Sequence, residues 1–87
     1  MNGQEASSYW EIKLTPRLCK AARAMLGWKQ TDLADLAGVG IATIRAYELG
    51  ERENARPATL KHLENAFEKA GLEFYRGGVV VRELEAA

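Results

Sequence analysis

Cys19, His62, Asp32 and Asp35 are the side chains best suited to nucleophilic, acid–base or metal chemistry, and their spacing supports none of it. Cys19 falls among the apolar positions of a helical stretch, and His62 sits on a helix face beside Lys61. The two Asp lie on a helix surface without acidic or His partners, so they form neither a metal cluster nor an acid/base pair. With one Cys and one His in the chain, an intramolecular disulfide is impossible and a zinc site of Cys and His lacks ligands. The glycines at 38 and 40, and at 77 and 78, lack the preceding strand and following helix of a phosphate-cradling loop. We therefore expect no enzymatic activity, no metal, no cofactor and no small-molecule ligand.

The remaining chemistry is that of cations. Twelve basic and twelve acidic residues cancel, which removes the global charge argument for a polyanionic partner. Their distribution is uneven: residues 13–56 hold eight bases and five acids, and Lys13, Arg17, Lys20, Arg23 and Lys29 follow one another with no acid between them. Such a run is either a solvated helix face or an anion-binding surface.

The elements that must position these cations are legible as periodic segments. Eighty-seven residues, 47% hydrophobic and 28% charged, suit one small folded domain rather than a disordered or fibrous chain. No apolar run reaches the roughly 18 to 20 residues of a membrane span, and the N-terminal sequence lacks the regions of a signal peptide, so a cytoplasmic protein is expected. Residues 1–12 read as a loose arm. Thr15-Pro16 starts a first helix whose Leu18, Ala22, Met25 and Leu26 form one stripe, closed by Gly27. A second helix runs from about Gln30 to Ala37, with Leu33, Ala34 and Ala37 on one side, and a third from about Ile41 to Leu49 carries Ile44 and Tyr47 inward. A fourth begins at Pro57 or Thr59 and buries Leu60, Leu63, Ala66, Phe67 and Ala70. Beyond Gly71 the period changes, and the Gly-Gly pair at 77 and 78 between Leu72, Phe74 and Val79 to Val81 signals a hairpin. The expected fold is mainly α, a four- to five-helix domain over 13–71 with a short C-terminal β-hairpin within 72–87.

Between the second and third helices the residue types become specific. Ala34 is small enough for a close helix crossing, Gly38 tolerates positive φ four residues later, and Val39, Ile44 and Tyr47 can plug the angle from one side. These are the requirements of a helix-turn-helix. From Gln30 through Glu48, with Glu48-Leu49-Gly50 and the downstream Pro57 and Leu60, the chain resembles the Xre family of phage repressor and Cro-like proteins. The resemblance covers residues 16 to about 71.

It implies that the helix from Gly40 to Leu49 enters the major groove of duplex DNA, its N-terminal residues nearest the bases. Base contacts are then expected from Gln30, Gly40, Ile41, Ala42, Arg45 and Ala46, with Arg45 donating to guanine N7 and O6. Ile41 and Ala42 stand where members often carry Gln and can only touch a thymine methyl, which makes the code partly apolar. Phosphate contacts are expected from Arg23, Lys29, Thr43, Arg52 and Arg56. Glu48 would be repelled by phosphates and is expected to turn back onto a nearby base or amide of the protein. The function implied is a sequence-specific transcriptional regulator, a repressor acting as a homodimer on a palindromic operator. The apolar residues left over, Phe74, Val79, Val80 and Val81, are the expected dimer surface. The alternative is an antitoxin-like or adaptor protein using the same fold for protein–protein contact, favoured by the neutral net charge and the valine edge.

Overall fold

A computed structural model describes residues 12–51 and 56–82. The expected arm lies outside them except for Ile12, as does Arg52. Among the described residues the order is α1 (Pro16–Leu26), α2 (Gln30–Ala37), α3 (Ile41–Glu48), α4 (Pro57–Lys69), β1 (Leu72–Tyr75) and β2 (Gly78–Val81). None of the helices is long and apolar enough to cross a membrane.

The helix starts follow local chemistry. Thr15 Oγ1 accepts the Leu18 amide at 3.1 Å ahead of Pro16, filling one of the free donors of the first turn. At α2 the residue ahead of the helix is Lys29, which has no acceptor to offer. Instead Asp32 reaches back and accepts the Lys29 amide at 2.8 Å, and its charge lies in the first turn where the helix dipole favours it. The turn between α2 and α3 pivots on Gly38, whose φ of +69° is strained for any residue with a Cβ. In that conformation the amides of Gly38 and Val39 both turn onto the Ala34 carbonyl, at 3.0 and 3.1 Å.

Packing sets α2 against α3 and α4, α1 against α3 and β2, and α4 against β1. One core results, built from Leu14, Leu18, Cys19, Ala22, Leu33, Ala37, Ile44, Tyr47, Leu63, Ala66, Phe67, Leu72 and Phe74. Phe67 is its aromatic centre, stacked on Trp28 at 5.5 Å and met edge-on by Phe74 at 5.8 Å. Leu33, Ile44, Leu63 and Phe67 are wholly buried, each worth about 1.5 to 3 kcal/mol relative to exposure. The segment ahead of α1 is tied down by Glu64, whose Oε2 accepts the Lys13 and Leu14 amides at 2.6 and 2.9 Å.

Three expected positions move. Met25 is exposed, because the buried stripe of α1 runs through Leu18, Cys19, Ala22 and the half-buried Leu26 and leaves Met25 on its flank. Ala70 is exposed as the residue capping α4 rather than a member of its face. The hairpin turns on Arg76-Gly77, with Gly77 at φ +81°, while Gly78 is already paired with Tyr75.

The hairpin register, Leu72↔Val81 through Tyr75↔Gly78, divides its valines. The Arg82 amide donates to the Gly71 carbonyl at 2.7 Å. Hydrogen-bonded pairs alternate in an antiparallel ladder, so Glu73↔Val80 and Tyr75↔Gly78 face one another while the peptide groups of Val79 and Val81 point away from β1.

Candidate nucleic-acid interface

Helix α3 has two sides. Ile44, Tyr47 and Glu48 are buried against α1 and the core, whereas Ala42 and Arg45 are exposed and Ile41, Thr43 and Ala46 are half-exposed. Leu49, the residue after the helix, is 77% exposed and extends the same outward ridge at i, i+3, i+4 and i+7 from Ala42. Arg45 makes no ion pair among the described residues. Gly40 begins the helix at an ordinary φ of −62°, and a Cβ there would meet only Thr43 Oγ1 at 3.9 Å. Its smallness therefore answers no demand of the fold and leaves the helix N-terminus open to close approach.

The acid on this helix is withdrawn from the surface. Arg23 grips Glu48 with a fork, Nε to Oε2 and Nη2 to Oε1, both 2.8 Å, and its Nη1 donates to the Trp28 carbonyl at 3.1 Å. Gln30 Nε2 adds a bond to Oε1 at 3.0 Å and Cys19 Sγ one to Oε2 at 3.1 Å. Burial alone would raise the Glu48 carboxyl, but the hydrogen bonds from Arg23, Cys19 and Gln30, with the charge of Arg23, hold it below the usual carboxylate range. Burial and the bond to Glu48 push the Cys19 thiol up, which keeps it protonated and unreactive.

The network engages two of the expected contacts. Arg23, expected on phosphate, has all three nitrogens bonded within the protein. Gln30, expected on bases, turns its amide nitrogen onto Glu48 and braces α2 against α3. Glu48 turns back as expected.

Of the other expected contacts, Lys29 is exposed beside the start of α2, Thr43 lies half-exposed near the start of α3, and Arg56 is exposed just ahead of α4. Thr43 shares a surface groove with Gly38, Gly40, Thr59 and His62. At the other end of α3, Lys20 and Arg45 border one groove with Leu49, above Gln30 and Glu48. Arg17 and Lys20 border the next, with Leu49 and Gly50. Lys20, Arg17 and Leu49 are not among the expected contacts, yet they border the grooves next to Arg45. The signal was present: Arg17 and Lys20 are three apart on the side of α1 away from Ala22, whereas Arg23 follows Cys19 by four and must share its buried side.

The expected dimer surface also changes. Phe74 is 5% exposed and belongs to the core, and Val79 packs partly against it. The side chains left outside are Tyr75, Val80 and Val81.

A family model for helix-turn-helix proteins matches residues 20–74, from the middle of α1 to the third residue of β1. The chain belongs to the Xre-like helix-turn-helix family. Members are DNA-binding transcriptional regulators, and the match contains the turn at Gly38, the outward side of α3 and Lys20. No curated relative matches the chain. Within the helix-turn-helix, α2 and α3 are the paired helices, with α3 the second of the two.

Proposed function

We propose that this helix-turn-helix protein is a sequence-specific repressor that binds duplex DNA as a homodimer on a palindromic operator. The observation that carries this reading is the outward side of α3, where Arg45 is exposed and bordered by Lys20 while the only acid of the helix is neutralised beneath it. Arg45 reads guanine through two parallel hydrogen bonds. Arg17, Lys20, Lys29, Thr43 and Arg56 hold phosphates on either side and set the register of the helix.

One such helix spans only a few base pairs, so two are required, about 34 to 36 Å apart on one face of the duplex. Tyr75, Val80 and Val81, exposed on the hairpin, supply an apolar surface on which a second copy packs. Bound in this way, the protein occludes the DNA it covers, which is the action of a repressor.

Selection of bound duplexes from a random pool tests the reading. A two-fold symmetric motif is expected, and its affinity should fall as salt rises with a slope of about 0.9 per neutralised phosphate. A chain with no DNA affinity even at low salt would instead favour the protein-binding adaptor. A monomer in sedimentation at high protein concentration would remove the dimer.

A further inference from the structure

The outward side of α3 is chemically unusual for a surface that reads bases. Ile41, Ala42, Ala46 and Leu49 contribute only hydrocarbon, and Arg45 is the one strongly hydrogen-bonding side chain among them. Thr43 faces the flank of the helix, in the groove with Gly40 and His62. Base edges in the major groove are mostly donors and acceptors, and the apolar exception is the methyl group on C5 of a pyrimidine. Hydrocarbon laid over unpaired donors and acceptors strips them of water without replacing their bonds, which is unfavourable. Laid over a C5 methyl, the same side chains gain buried apolar area.

The charges around this face favour a nucleic acid over an apolar protein partner. Lys20 and Arg45 border the groove beside Leu49, and its acid, Glu48, is buried and paired with Arg23. Arg17 stands on the adjoining groove. An occupant that is apolar where it meets α3 and anionic where it meets α1 has the character of a methylated base edge between phosphates.

We propose that the protein reads pyrimidine C5-methyl groups next to the guanine held by Arg45, so that its affinity for a site depends on C5 methylation. The methyl can come from thymine or from 5-methylcytosine. Ile41 and Ala42, at the N-terminal end of the helix, take one methyl, and Leu49 covers the rim beside Lys20. This inference rests on the DNA-reading role of α3 proposed above.

The test alters the DNA and leaves the protein intact. On the duplex recovered by selection, each thymine is replaced singly by uracil, and affinity is measured at fixed salt. At least one thymine in each half-site, within two base pairs of the guanine protected by Arg45, should lose about fourfold in affinity, the value of one buried methyl. At that position cytosine paired with guanine should bind weakly, and 5-methylcytosine should recover about the same factor. Uracil substitution without effect at every position, on a duplex still bound with two-fold symmetry, overturns the methyl reading and leaves DNA recognition standing. Loss on uracil substitution with no recovery by 5-methylcytosine shows that the methyl is read only together with the O4 acceptor of thymine, and overturns the dependence on cytosine methylation. Failure to bind any duplex in the pool at low salt removes both readings.

Discussion

On its inner side α3 places Glu48 against Arg23, Gln30 and Cys19, with every oxygen of the carboxylate bonded. On its outer side the same eight-residue helix places Arg45 in solvent among side chains that cannot satisfy it. The two arginines, Arg23 and Arg45, have identical chemistry and opposite situations. A guanidinium whose nitrogens are all occupied fixes the angle between helices; one with its fork free is available to a ligand. Sequence counts both as positive charge, and only their neighbours tell them apart.

That contrast predicts where substitution harms folding and where it harms binding. Glu48→Ala should cost about 3 to 5 kcal/mol of stability, because Arg23 is left partly buried without its partner. Chemical denaturation measures it, and a loss below 1 kcal/mol would mean the network is ornamental. The acid limb of stability follows from the same group. Its folded carboxyl lies below the ordinary range, so its contribution is complete above the unfolded carboxylate value and disappears as pH falls through the lowered folded one. Glu48→Gln should flatten the acid limb in denaturation midpoints recorded across that window.

The hairpin offers a second inner and outer pair. Phe74→Ala removes a core ring and should cost about 3 to 5 kcal/mol. Val80→Lys, on the outward side of the same hairpin, should change stability by less than about 0.5 kcal/mol yet shift the sedimenting species to monomer. Comparable destabilisation by the two would contradict the division of the hairpin into a core face and a free face. Smallest in stability is Lys20→Ala, within about 0.5 kcal/mol. It should weaken binding to all duplexes alike and lower the salt slope by about 0.9; an unchanged slope would take Lys20 off the phosphates.

Much of the fold is legible because its signals are local. Thr15-Pro16, Gly27 and Gly38 each act within one turn of helix, and Leu33, Ile44 and Phe67 lie on stripes whose period can be counted. The site is less legible because it depends on which way neighbouring helices lean. Arg23 and Gln30 have the composition of DNA contacts, and their diversion to Glu48 is a long-range event across 25 and 18 positions. Even so, Glu48 follows buried Tyr47 and lies four beyond buried Ile44, which places an acid at the edge of the core in need of a cation. Phe74 belongs to no helical stripe, so the sequence alone leaves it for a partner's surface; its burial depends on α4 presenting Phe67 to the sheet.

The claim that α3 reads bases through its outer side is tested most directly by Arg45→Ala, measured on the selected duplex and on one of scrambled sequence at the same salt. The loss should be about five- to 150-fold on the selected duplex, the value of one bidentate guanine contact, against a much smaller loss on the scrambled one. Equal losses on both would reduce Arg45 to another phosphate-binding cation and take base reading away from α3.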